Sequence, residues 1–187
     1  MALLPINLIG DKILRKKANQ LKEIDMKTIE LVRDMFETMH NANGVGLAAN
    51  QIGSDKSIFI IDLSKVEGHE KDKPIVFINP KITFRSEEKV LMEEGCLSIP
   101  DIRAEIDRPE RITINYKDTD FVDHNINAED YLARVIQHEY DHLQGILFTD
   151  LIGSDLKKKV NKDIIKIKKR KVQFQYPVTE DANYQLA

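Results

Sequence analysis

The sequence predicts an α+β fold: antiparallel β-strands packed around a central helix, with N-terminal and C-terminal helices on either side. Three observations predict it. Apolar residues recur at spacings of three and four in three separate stretches, the period of a helix with one buried face. Between the first two stretches lie short β-branched runs broken by Gly, Pro and Asn, the signature of strands joined by turns. The middle helical stretch, "VIQHEYDHLQG" from Val135 to Gly145, carries two histidines four residues apart with a glutamate directly after the first.

The elements follow in order. Residues 26 to 41 form an amphipathic helix with Ile29, Val32, Phe36 and Met39 as its apolar stripe, Asp25 as its cap and Gly44 beyond its end. "NGVGLAANQIG" is a glycine-rich turn segment leading into the strand-like "SIFIIDL". "KPIVFINPKITF" and "EEKVLM" continue the β pattern, and "ERITINYKD" alternates Ile112 and Ile114 with polar neighbours. The polar stretch from Asp120 to Asn127 is expected to be a turn. A second helix is expected to begin near Ala128, capped by Asn127, with Glu129 and Asp130 at the positive end of its dipole and Gly145 at its close. A third covers 155 to 169, with Leu156, Val160, Ile164 and Ile167 along one side. The last stretch, "KVQFQYPVTEDANYQLA", has little pattern and is expected to fray.

At 187 residues the chain is expected to be a single domain over 1–170, followed by a flexible tail over 171–187. A hydrophobic content of 42% and a charged content of 32% are those of a globular protein in water. The net charge of −3 gives no overall attraction to DNA or to an anionic membrane. One cysteine excludes an internal disulfide framework, and indicates a reducing compartment or a chemical role for that thiol. No apolar run approaches the roughly 20 residues that span a bilayer. The opening "MALLPINLIGDKILRKKANQ" lacks the order of a secretory signal, so the cytoplasm is the expected address.

On a helix, His138 and His142 leave the same face about one turn apart, so both imidazoles can reach one ion. Glu139 then lies close enough to exchange protons with a bound water. Taken alone, the motif is a good clue to a metal, and its bland alternative is a charged, solvated helix face. A catalytic site of this kind takes a third protein ligand and leaves one position open. Cys96, in "EEGCLSIP", is the preferred third ligand, against the ordinary fate of a lone cysteine as a small buried hydrophobe. Peptidase-like completion by a downstream group is less favoured: no histidine follows His142, Glu180 lies in the tail, and Asp150 and Asp155 fit no familiar spacing. A closed structural site needs a fourth ligand, for which His124 is the least implausible.

Three segments, in order, resemble the signature of peptide deformylases: "GVGLAANQ" (Gly44 to Gln51), "EGCLS" (Glu94 to Ser98) and "HEYDH" (His138 to His142). The resemblance runs from the N-terminus to about residue 170, and the basic helix after the third segment is similar to that of the bacterial form with a helical C-terminus. The chain departs in a charged insert, "EGHEKDK", and in its final tail; neither touches a motif. The resemblance implies a metal-dependent hydrolase that removes the formyl group from the N-formylmethionine of newly made polypeptides and releases formate. It implies one divalent ion on Cys96, His138 and His142, with Fe²⁺ expected in the cell and Zn²⁺, Ni²⁺ or Co²⁺ able to substitute. By coordination preference alone, one sulfur and two nitrogens suit zinc. A water on that ion would attack the formyl carbon with Glu139 as general base and acid, while the Gln51 amide and the Leu97 backbone N–H receive the oxyanion.

For the substrate methionine, Tyr131 and Val135 share the face of His138 and are expected to wall a slot. The stem of Arg134 lines its mouth with the charge in water. Val45 and Met92 are partners placed by the resemblance, and core packing is an equally good reading of Val45, Met92 and Val135. Gly46 and Gly95 suit a peptide lying alongside as an added strand, and Arg103 is a contact further out. The expected partners are formylmethionyl nascent peptides, met by a monomer. From Lys157 to Lys171 there are nine basic residues and one acid. A solvated face is the preferred reading of this helix (155–171), and transient ribosome contact through phosphates is the sharper alternative.

Overall fold

The computed structural model describes residues 2–186; Met1 and Ala187, the outermost residues of the expected domain and tail, lie outside the described residues. The first helix, α1 (Met26–Asn41), begins where expected. The Asp25 carboxylate accepts from the Thr28 backbone N–H at 2.8 Å, which satisfies one of the free donors of the first turn. Its buried face differs from the expected stripe: Leu31, Val32, Met35 and Met39 face inward, Phe36 is half-buried and Ile29 is exposed. Two overlapping apolar stripes exist on this helix, and packing against the sheet decides which is buried.

The strands follow as β1 (Gly46–Ala48), β2 (Ile58–Ile61), β3 (Ile75–Arg85), β4 (Lys89–Cys96), β5 (Ile99–Pro109), β6 (Arg111–Lys117) and β7 (Asp123–Glu129). They make a five-stranded antiparallel sheet in the order β1-β2-β3-β6-β7 and a separate two-stranded hairpin, β4-β5. The hairpin's second strand is absent from the sequence expectation. Yet Ile102, Ala104 and Ile106 are buried while Arg103, Glu105 and Asp107 are exposed, the alternation of a half-buried strand. The expected turn over 120–127 is also corrected. Residues Asp123–Glu129 are an edge strand paired to β6 from Arg111↔Glu129 to Lys117↔Asp123. An edge strand with one wet face can be mostly polar, so its composition resembles a loop.

That strand takes Asn127 and Ala128 out of the second helix, so Asn127 is not its cap. The central helix α2 runs Asp130–Leu143 with Glu129 at the cap position and no side-chain cap bond. Gly145 closes it with a φ of 75°, and a methyl group there would lie 2.7 Å from the Arg15 carbonyl oxygen, so glycine is required on both counts. A short helix, α3 (Phe148–Leu151), and the basic helix α4 (Ser154–Lys168) follow.

Helix α2 is held by its apolar side. Ala133, Val135, Ile136 and Leu143 pack in one cluster with Phe59, Phe77, Ile112 and Ile114 of the large sheet. The Phe59 and Phe77 rings stack at 4.5 Å; truncating either to alanine would cost about 3–5 kcal/mol. A second cluster joins α1 to β1 and β2, and a third joins the β4-β5 hairpin to α3 and α4. Helix α4 buries Ile167 fully and rests Leu156, Val160 and Ile164 on the third cluster, along the expected side.

Beyond α4 the chain has no further helix or strand among the described residues, but it crosses the N-terminal segment. Ile6 and Val178 form a bridge, Thr179 Oγ1 donates to the buried Asp11 carboxylate at 2.7 Å, and Arg170 Nη2 donates to the same carboxylate at 2.6 Å. The Leu186 N–H reaches the Gly53 carbonyl at 2.9 Å.

Candidate active site

Three chain segments meet at one place. Helix α2 supplies His138, Glu139 and His142 from its buried face, and the two imidazole rings stand 5.0 Å apart in an edge-on arrangement. The end of β4 supplies Cys96. Its pairing partner jumps from Arg103, opposite Gly95, to Ile99, an irregularity that re-aims the strand end. Cys96 Sγ lies 3.2 Å from His142 Nε2, and one ligand atom each from Cys96, His138 and His142 lie within 4.8 Å of one another. The third segment is the turn Ala49–Ile52 after β1. Its Gln51 is buried, with Oε1 accepting from the Ala48 N–H at 2.8 Å, which turns the amide nitrogen toward Ser98 Oγ at 3.2 Å and Cys96 Sγ at 3.6 Å. Its neighbour Asn50 donates through Nδ2 to the His142 carbonyl, tying this turn to the end of α2.

Behind the histidines lies a charge cluster that the sequence reading missed. His138 Nδ1 is 2.9 Å from Glu94 Oε2. A carboxylate only accepts, so Nδ1 carries the hydrogen and Nε2 keeps its lone pair for the site. Glu94 also accepts from Arg108 Nε at 2.6 Å, Arg108 Nη2 at 3.0 Å and Arg134 Nη1 at 2.8 Å, and Arg108 reaches Asp141 at 2.6 Å. Burial presses the Glu94 carboxyl upward, but His138 and Arg108 hold it well below the ordinary range. Its place in "EGCLS" was the available signal; Arg108, on the unforeseen strand, had none.

Arg134 departs from expectation. Its guanidinium is buried rather than in water, and donates to Glu94 and to the Ile106 carbonyl at 2.7 Å. It clamps α2 to the hairpin.

Electrostatics separates the two histidines. Burial alone would lower His138, but its proximity to Cys96 and its bond to Glu94 raise it well above its usual value, so an ion taking Nε2 would displace a proton there. Burial, with the nearby His138 and Arg108 charges, drives His142 well below. Glu139 is raised to about 7, chiefly by burial and further by the Glu94 charge, against the pull of His138. Its Oε2 and His142 Nδ1 are both buried without a hydrogen-bond partner. A methyl group on Gly46 would lie 2.5 Å from Glu139 Oε1, so any side chain there would push the carboxylate out of its place.

These groups open into a cavity of about 520 Å³. Of the expected substrate residues, Val45, Gly46, Gly95, Arg103, Tyr131, Arg134 and Val135 line it, as do Gln51, Leu97, His138 and Glu139. Met92 does not; it pairs with Ile106 along the hairpin. Arg103 is exposed beside Glu93 at 3.3 Å. Gln173, Phe174, Gln175 and Tyr176 of the C-terminal segment complete the lining, and nothing in their composition marks them.

The donor set fits a divalent ion. A thiol and two imidazoles converge, one imidazole is held in the ligating tautomer by a carboxylate, and the separations fall within reach of one tetrahedral centre. Among the described residues no other such group of potential ligands occurs. The remaining histidines are engaged elsewhere: His40 with Asp62, His69 with Asp72, and His124 with Asp118 at 2.6 Å, which removes His124 as a fourth ligand. Asp150 is paired with Arg15. No helix among the described residues is long and apolar enough to cross a membrane.

The family model described as polypeptide deformylase matches residues 3–158. The peptide deformylase of Pseudothermotoga lettingae is 43% identical over 171 residues, covering 91% of this chain and 95% of that protein. That of Prosthecochloris aestuarii is 45% identical over 178 residues, covering 95% of each. The crystal structure of peptide deformylase from Ehrlichia chaffeensis in complex with actinonin superposes with a TM-score of 0.83 at 39% identity, over 92% of this chain and all of that one. With sequence and fold both matched over nine-tenths of its length, this chain belongs to the polypeptide deformylase family.

Proposed function

We propose that this protein is a peptide deformylase: a metal-dependent hydrolase that removes the formyl group from the N-terminal formylmethionine of newly made polypeptides and releases formate. The observation that carries the reading is the convergence of Cys96, His138 and His142 beside Glu139 at the wall of an open cavity. Those three side chains would hold one divalent ion, which would supply Lewis acidity toward water and the formyl carbonyl.

The chain's own residues do the rest. Glu139, placed near neutrality by burial, takes a proton from the attacking water at its carboxylate and returns it to the departing amine. The Gln51 amide nitrogen, turned by its bond from Ala48, and the Leu97 N–H donate to the oxygen that gains charge. Removing one such donor typically costs about 10²–10³ in rate. Val45, Tyr131 and Val135 offer the apolar wall for the methionine side chain. The edges of β1 at Gly46 and of β4 at Gly95 leave room for peptide backbone to pair without reading sequence, which suits an enzyme meeting many N-termini.

The test is formate release from a formyl-Met peptide by protein purified without oxygen and with its metal measured. The peptide should be deformylated while casein is left intact; casein digestion without formate release would favour peptidase chemistry instead. Iron as the working ion follows from the family resemblance, and oxygen-sensitive activity with iron but not zinc supports it. The same reading puts a monomer in the cytoplasm, where formylated chains emerge. Ribosome contact through α4 remains part of the proposal only if binding to ribosomes weakens steeply with salt and with Lys158→Glu and Lys162→Glu together.

A further inference from the structure

The C-terminal segment, which the family model does not reach, enters the cavity wall at Gln173–Tyr176. One contact there is specific. The Tyr176 hydroxyl donates to the Leu97 carbonyl at 2.7 Å. Its ring is partly buried against the same apolar cluster as Leu97, Leu47 and Ile52. Burial, with the Cys96 and Asp101 charges, raises the phenol well above its ordinary value, so the hydroxyl keeps its proton and remains a donor.

The residue it holds sits between two others already fixed. Ser98 is bound at its carbonyl by the Ile9 N–H at 2.9 Å and at its hydroxyl by Gln51 at 3.2 Å. Cys96 faces His142. Leu97 lies between these anchors, and its carbonyl is secured by Tyr176. The Leu97 carbonyl and N–H belong to neighbouring peptide units that share the Leu97 Cα, so holding the carbonyl fixes the far side of that Cα and narrows the directions in which the N–H can aim at a developing charge.

We propose that Tyr176 is a positioning residue: its hydroxyl, delivered by the C-terminal segment, fixes the Leu97 backbone so that the Leu97 N–H points at the reacting carbonyl oxygen. This rests on the deformylase reading above. It gives the C-terminal segment a part in the reaction through the backbone it holds.

The anchors of the segment allow a clean test, because Thr179, three residues on, holds it to Asp11 without touching Leu97. Full-length wild type, Tyr176→Phe and Thr179→Val are loaded with the same ion and compared at a temperature well below unfolding. kcat and KM on a formyl-Met peptide, metal content and melting temperature are measured for each. Tyr176→Phe keeps the ring and should lower kcat about tenfold, less than complete loss of an oxyanion donor, with KM within twofold and metal content unchanged. Thr179→Val should lower the melting temperature by at least as much and leave kcat within twofold. A kcat for Tyr176→Phe within twofold of wild type would overturn the inference while the deformylase reading stands. So would an equal fall in Thr179→Val, since that would make the segment merely structural. If wild type itself releases no formate, both readings fall together.

Discussion

The charges behind His138 and the charges along α4 use the same residue types under opposite conditions. Glu94, Arg108 and Arg134 are at most 6% exposed, and with Asp141 they interlock between α2 and the hairpin. On α4, Lys166 and Asp163 pair at 2.8 Å with more than half of each side chain in water. Water solvates the α4 charges whether or not they pair, so the pair adds little and screening by salt removes most of that. The buried set has given up its hydration and recovers it only if every partner is in place. Such a cluster is a poor source of net stability but a strong constraint on geometry. Here the geometry it constrains is the tautomer and direction of the His138 ring.

Four measurements break or sharpen that contrast, beginning with the largest expected effect. Glu139→Gln removes a buried carboxylate that is left unpaired for chemistry; formate release should fall about 10³-fold with metal content and melting temperature preserved. Retained activity would remove Glu139 as the base. Glu94→Gln leaves two buried arginines short of charge and frees the His138 ring. Competition with a chelator should show metal affinity weakened about 10–100-fold, together with a clear loss of thermal stability. If affinity is unchanged, the cluster does not orient the ligand. Gly46→Ala places a methyl group against the Glu139 carboxylate, and kcat should fall about tenfold with the metal still bound. Lys166→Ala is the counterpart on α4: denaturant unfolding should change by only about 0.3–0.5 kcal/mol. A loss as large as that from Glu94→Gln would erase the distinction between the two regions.

The sequence carried the motifs well because each is local. Two histidines at i and i+4 share a helix face wherever the helix lies, and Asp25 caps α1 by a bond spanning three residues. Strands were read unevenly. β2 and β3 are apolar enough to be plain, whereas β7 is polar at an edge and β5 alternates apolar and charged residues in a run whose second and last residues are proline. Missing β5 meant missing Arg108, and without Arg108 nothing announced that Arg134 would be buried rather than lie at the rim of a slot. The C-terminal segment was equally silent: what secures it is a carboxylate more than 150 residues earlier in the chain.

By itself, the order of residues determined the α+β class, the helix that bears the histidines, and the identity of the thiol, imidazoles and carboxylate expected at the site. The helix and its histidines depend on helical period and short spacings, which act within a few residues, whereas the thiol was marked by being the one cysteine and by the resemblance of its segment. Only the tertiary structure decided which lone pair His138 presents, which face of α1 is buried, and that Tyr176 reaches the backbone beside Cys96. Each of these is set by the register of strands and the docking of segments far apart in sequence. There the deciding energy lies in desolvated contacts that no local pattern encodes.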